Sequence, residues 1–120
     1  MYKIENITSD PAQAFTLVLP GRSDTAKLTL YYIERLMSWY MDLEYEDKTI
    51  RSRRVCSSPN LLRQWYKTMP FGLACYTLDN TDPFTAEDFE AGGRCGLIVL
   101  SEDEAFGYEE YLTELKDAQI

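Results

Sequence analysis

Ser38-Trp39-Tyr40-Met41-Asp42-Leu43-Glu44-Tyr45 alternates without a break: Trp39, Met41, Leu43 and Tyr45 hold one parity, and Tyr40, Asp42, Glu44 and Glu46 hold the other. Successive side chains of a strand point to opposite faces, so this pattern predicts a strand with one face in a core and one in water. Antiparallel sheets at a protein surface carry such strands. Downstream, Glu46-Asp47-Lys48 turns the chain and residues 49–55 return as a partner strand, with Ile50 apolar and Arg51, Arg53 and Arg54 basic. Pairing of these arginines with Glu44 or Glu46 is expected, worth about 0.2–1 kcal/mol per pair. Upstream, Lys27-Leu28-Thr29-Leu30-Tyr31-Tyr32-Ile33 is rich in residues that favour a pleated surface, and Glu34-Arg35-Leu36-Met37 forms the connection.

Working outward, Phe15-Thr16-Leu17-Val18-Leu19 reads as another short strand with Phe15, Leu17 and Leu19 on one face, stopped by Pro20-Gly21. The first dozen residues are polar and contain the turn signal Ser9-Asp10-Pro11. Ser57-Ser58-Pro59-Asn60 breaks the chain and can cap a helical turn over residues 61–66, which Pro70 ends. Phe71-Gly72 opens a strand over residues 73–78, and Asp79-Asn80-Thr81-Asp82-Pro83 is a loop. Residues 85–89 read as one helical turn capped by Thr85 and finished by Gly92-Gly93. The apolar run from Cys95 to Leu100 has the length of a buried strand. From Ser101 to Ile120 the chain is acidic, with Tyr108, Tyr111, Leu112 and Leu115 at helical spacing. The expected class is α+β, mainly antiparallel β: a small barrel or sandwich with one or two short helices and an acidic C-terminal helix. With no repeat, low-complexity tract or linker, residues 1–120 form one domain, comprising an N-terminal arm (1–13), a β core (14–100) and an acidic tail (101–120).

A chain of 120 residues with 45% hydrophobic and 13% aromatic side chains can bury a core without staples. It holds no apolar run of the roughly 20 residues a membrane crossing needs. The amino terminus lacks a signal-peptide pattern, which places the chain in a cytoplasm when it is made. The net charge of −8 is uneven. Residues 79–120 hold twelve acidic side chains against Arg94 and Lys116, a net of −10, whereas residues 1–78 carry a net of +2. Such polarity suits layered docking, where charge sets register and encounter rate, although an acidic tail also serves solubility alone. Binding to nucleic acid or an anionic membrane surface is disfavoured, because both need a clustered excess of Lys and Arg.

The residues offer little to a catalyst. There is no histidine, which removes the commonest general base and the usual partner of a serine or cysteine nucleophile. Cys56, Cys75 and Cys95 are widely spaced and form no metal-binding pair; they read as small buried hydrophobes, with an odd count that leaves a thiol free or available for a disulfide. Cys56 follows three arginines and is the one candidate for a lowered thiol. The acidic pairs Asp42/Glu44, Glu87/Asp88, Glu102/Asp103 and Glu109/Glu110 lie on wet strand faces or in polar loops, where a two-carboxylate hydrolase cannot raise one acid. Asp79–Asp82 lacks the glycine and distal glutamate of a calcium loop, and Gly92-Gly93 leads into a strand where a phosphate cradle would lead into a helix. No catalytic, cofactor or metal residues are assigned. Nine tyrosines and two tryptophans fit a β core or protein interfaces equally. Tyr31, Tyr40 and Trp65 are candidate exposed anchors, with Tyr108 and Tyr111 on the tail and Arg51, Arg53 and Arg54 on the basic strand.

The hairpin Leu28-Thr29-Leu30 … Trp39-Tyr40-Met41-Asp42-Leu43, its turn, and Ile50 with a basic return strand resemble the baseplate plug proteins of contractile-tailed bacteriophages. So do Phe71-Gly72-Leu73-Ala74-Cys75-Tyr76 … Asp82-Pro83 … Phe89 … Gly92-Gly93, closing on Cys95-Gly96-Leu97-Ile98-Val99-Leu100. The likeness covers residues 14–100, and the acidic tail extends beyond it. The resemblance implies a structural, non-enzymatic component of the virion tail baseplate, made in the host cytoplasm. It would bind copies of itself in a cyclic oligomer and other baseplate, hub or tube proteins, without a cofactor. The alternative reading of the residues is an acidic inhibitor- or immunity-type module that masks a basic protein.

Overall fold

The alternating stretch is strand β4 (Ser38–Tyr45), and Trp39, Met41, Leu43 and Tyr45 are all buried, as their parity predicts. The computed structural model describes residues 2–21, 23–65, 68–79, 81–90 and 92–105. Around β4 the chain builds an antiparallel meander in the order β2 (Ala12–Val18), β3 (Thr25–Ile33), β4 and β5 (Lys48–Arg54). A second antiparallel sheet has the order β1 (Tyr2–Lys3), β7 (Cys95–Ser101), β6 (Phe71–Thr77). The two sheets do not close into a barrel, so that alternative is corrected. Helix is scarce among the described residues: two three-residue 3-10 turns, Glu34–Leu36 and Arg63–Trp65, and the helical residues 102–105.

The core lies where the inner faces meet. Leu28, Leu30, Trp39, Met41 and Leu43 from the first sheet, Val55 just after β5, and Leu73, Leu97 and Val99 from the second sheet are fully excluded from water. Tyr45 packs on Phe71 across the sheets, with ring centroids 5.8 Å apart. Trp39 meets Phe89 edge-on at 5.4 Å, and its indole N–H donates to the Thr85 carbonyl at 2.9 Å, so the largest core side chain buries no unpaired polar atom.

One irregularity decides which residues reach that core. Tyr40 pairs with Arg54 and Met41 with Arg53, but Leu43 pairs with Ile50, so Asp42 faces both Arg51 and Ser52 across a β-bulge. Strand parity alone would put Ile50 and Val55 on opposite faces. The extra residue shifts the phase, and both are buried. Ser52 adopts φ 55°, the left-handed region that a non-glycine residue enters at a cost of about 1–2 kcal/mol. The Asp42 carboxylate offsets this by accepting the Ser52 amide N–H at 2.8 Å.

The amino-terminal segment packs along β7. Tyr2 and Lys3 pair with Val99 and Ile98, the Ile4 amide donates to the Leu97 carbonyl, and Ile4 and Ile7 are buried. The polar composition of residues 1–13 hid two apolar anchors spaced three apart. Residues 85–89 form a turn in which the expected cap is reversed: the Asp88 carboxylate accepts the amides of Phe84 and Thr85 and the Thr85 hydroxyl. Ser101 and Glu104 make a reciprocal cap, each side chain accepting the other's amide N–H at 3.2 and 3.0 Å, and so start the helical residues 102–105. The rest of the expected C-terminal helix lies outside the described residues.

Candidate interaction surface

The wet parity of β4 opens onto the outer face of the four-stranded sheet. Strand register sets its rows. Ala12, Tyr31, Tyr40 and Arg54 form one, and Ala14, Thr29, Asp42 and the Arg51/Ser52 bulge form the next. Tyr31 and Tyr40 stack with centroids 6.0 Å apart and planes 21° from parallel. The Tyr31 hydroxyl lies 3.3 Å from Asp42 Oδ1 and 3.1 Å from Ser52 Oγ, so it can donate to the carboxylate and accept from the serine. Arg51 approaches Asp42 Oδ2 at only 3.9 Å with 70% of its side chain exposed, a pair worth less than about 1 kcal/mol. Its guanidinium therefore remains available to a neighbouring molecule. The result is a ledge of two half-buried, preorganised aromatic rings flanked by basic side chains. Large rigid aromatics and arginine are the residue types that supply most binding energy at protein interfaces.

The bulge separates the three arginines. Arg51 and Arg54 stand exposed on the outer face, whereas Arg53 lies opposite core-facing Met41, half-buried, and its guanidinium donates to the Arg54 carbonyl at 3.0 Å. The expected arginine pairing with Glu44 is corrected, because the register sets Thr49 opposite Glu44. Tyr31 and Tyr40 join Arg51 and Arg54. Trp65 does not: it sits in the 3-10 turn before β6, half-buried against the core, and its carbonyl accepts the amides of Thr68 and Met69. Tyr108 and Tyr111 lie outside the described residues. Sequence reasoning missed Asp42 and Ser52, which fix the ledge; the signal was the odd separation of the apolar pair Ile50 and Val55. It also missed the tip of the β3–β4 hairpin, where Leu36 and Met37 are exposed.

The acidic half is organised by one cation. Arg94 donates to Asp79 Oδ1 at 2.7 Å, to the Thr81 carbonyl at 2.6 Å, to the Asp82 carbonyl at 2.8 Å and to Asp88 Oδ2 at 3.0 Å, and it lies over the Phe84 ring at 4.6 Å. The loop with calcium-like spacing is thus built around a guanidinium. Burial disfavours the ionised form of Asp88, but hydrogen bonds from Thr85 and Phe84 and the charge of Arg94 outweigh it and hold the carboxyl below its ordinary value. Glu104 is also shifted down, chiefly by the Ser101 amide. Both carboxyls move opposite to the raised acid that a two-carboxylate hydrolase requires.

The three cysteines are free thiols, Cys75 and Cys95 buried and Cys56 half-buried. Burial pushes Cys75 up to about 12, and burial raises Cys95 to about 11 against the opposing pull of Arg94. Both are poor nucleophiles near neutrality. Among the described residues, no group of three or more Cys, Asp or Glu could hold a metal ion.

The family model described as "Cyanophage baseplate Pam3 plug gp18" matches residues 1–102. The chain belongs to this baseplate plug family, a structural family of the phage virion tail. Among curated proteins none matches. The match includes the amino-terminal segment docked on β7 and ends at residue 102.

Proposed function

We propose that this protein is a baseplate plug subunit that assembles with copies of itself and with neighbouring baseplate, hub or tube proteins, acting without catalysis or cofactor. Family membership over residues 1–102 carries the reading. Assembly begins in the host cytoplasm and ends in the tail baseplate. The outer face of the four-stranded sheet supplies one contact, with the Tyr31–Tyr40 stack as the apolar anchor and Arg51 and Arg54 setting orientation. An acidic surface on the adjoining subunit or protein complements it. The net charge of −10 over residues 79–120 supplies complementary charge on this chain, and head-to-tail pairing of copies through the ledge gives a heterologous contact that closes into a ring.

The test is incorporation. Particles carrying Arg51→Glu and Arg54→Glu together are sedimented, and their tails are assayed for this chain by peptide mass spectrometry. The expected result is loss from the tail with an unchanged unfolding midpoint of the purified monomer, because both side chains stand on the wet face. Normal incorporation of the double variant would remove the ledge from the interface. Absence of the unaltered chain from intact tails would overturn the plug reading itself.

A further inference from the structure

The four sheet edges are not equally guarded. The edge of β6 is covered by residues 58–61: Ser58 and Cys75 exchange amide hydrogen bonds, and the Leu61 amide donates to the Leu73 carbonyl. The edge of β5 is blunted by the bulge, by four basic side chains and by Arg53, which caps the outward Arg54 carbonyl. β1 has only two residues.

Among the described residues, β2 has none of these protections. Its seven residues, Ala-Gln-Ala-Phe-Thr-Leu-Val, contain no charge, no proline and no bulge. The Leu19 amide donates to the Asp24 carbonyl and the Tyr32 amide to the Pro11 carbonyl. In an antiparallel ladder hydrogen-bonded and open pairs alternate. The odd-numbered residues of β2 therefore bond to β3, and the even-numbered ones turn their amides and carbonyls outward. The Val18 carbonyl is taken by the Tyr2 hydroxyl at 2.8 Å. Ala12, Ala14 and Thr16 are exposed and present their backbone groups to solvent. Groups in this arrangement are met by the backbone of another extended chain.

The side chains select which chain. Phe15 stands at the centre of the open strand on the core-facing side and is only half-buried. The geometry points to a second copy of this protein, its β2 paired antiparallel with this one about a two-fold axis through Phe15. That register sets Phe15 against Phe15 of the other copy as an open pair, the closer of the two spacings, and the rings cover each other's exposed surface. Ala14 then faces Thr16 of the other copy, and the two such pairs together exchange four backbone hydrogen bonds. The outward row carries only small uncharged side chains, so nothing repels the identical strand. The contact is isologous and joins the four-stranded sheets of two copies into one. It uses neither the ledge nor the acidic half, so it stands independently of the assembly reading above.

Sedimentation equilibrium of the purified full chain under reducing conditions, at concentrations up to about 1 mM, tests this, since a small interface gives weak affinity. A monomer–dimer equilibrium is expected. Ala14→Pro removes an outward donor from each copy and leaves the β2–β3 ladder intact. Each lost bond costs roughly fivefold, so the dissociation constant rises about 25-fold. Thr16→Lys places a charge on the edge and also yields monomer, and it carries the test if the proline variant fails to fold by circular dichroism. Phe15→Cys, on mild oxidation, gives a reductant-sensitive dimer whose linked peptides both contain position 15. A wild-type monomer throughout the range, a dimer unaffected by either edge variant, or a dimer lost instead through Arg51→Glu and Arg54→Glu would overturn the proposal. So would the absence of the position-15 link.

Discussion

Replacing Arg94 by alanine should release the loop that closes over Trp39, and its cost can be worked from the contacts removed. Two bonds to the Thr81 and Asp82 carbonyls, at 2.6 and 2.8 Å, contribute about 1 kcal/mol each. The Asp79 partner is more than half exposed and adds at most a few tenths of a kcal/mol, roughly the value of a surface pair. Asp88 is nearly buried, so its pair with Arg94 is the larger ionic contribution, about 1–1.5 kcal/mol after allowing for the bonds that Thr85 and Phe84 still make to it. Stacking over Phe84 adds about 0.5 kcal/mol. The total is about 4 kcal/mol, a large share of the roughly 5–15 kcal/mol that holds a domain of this size together. Urea unfolding followed by tryptophan fluorescence reads it directly, and the thermal midpoint should fall by about 10–15 °C. Arg94→Lys should recover less than half, because an ammonium cannot reproduce the fork that reaches four acceptors. Acidity supplies a further check. Asp88 is held below its unfolded value, so it binds fewer protons folded than unfolded. Its contribution is complete above an unfolded value of about 4 and is lost as pH falls through the folded value. The gap between wild type and Arg94→Ala should therefore narrow on acidification below about pH 4. A cost under about 1 kcal/mol at pH 7, or a gap that widens in acid, would refute this account of the loop.

Gly93→Ala should cost about 2–3 kcal/mol by urea unfolding, because the added carbon would lie 2.5 Å from the Asp88 carbonyl oxygen and 2.9 Å from those of Glu87 and Glu90, all backbone atoms that cannot swing aside. Asp42→Ala should cost about 1–2 kcal/mol, since the Ser52 amide loses its acceptor while the left-handed backbone remains; an unchanged midpoint would show that water serves the bulge equally well. Thiol labelling of the native protein at pH 8 should modify Cys56 alone, with Cys75 and Cys95 reacting only in denaturant. Burial leaves about one Cys75 in ten thousand ionised at that pH, and rapid native labelling of either buried thiol would contradict the packing.

The sequence by itself determined what local periodicity and composition can encode. The parity of Trp39, Met41, Leu43 and Tyr45 is a property of the chain, and it fixed which face of β4 is buried and hence that the protein is mainly antiparallel β. The order of weak features from Leu28 to Leu100 was enough to reach the plug family, because hydrophobic pattern and turn positions follow the fold closely. The tertiary structure decided everything that depends on residues distant in the chain. It paired Tyr2 and Lys3 with Val99 and Ile98 in an edge strand, since two-residue pairing leaves no periodicity to read. It placed the bulge that splits Arg51 and Arg54 from Arg53, a phase shift set by the demand that both Ile50 and Val55 reach one core. It gathered Asp79, Thr81, Asp82 and Asp88 around Arg94, where pattern showed only scattered charge. Which sheet edges are covered and which is open is likewise invisible in the chain, because covering an edge is a contact between segments and belongs to none of them alone.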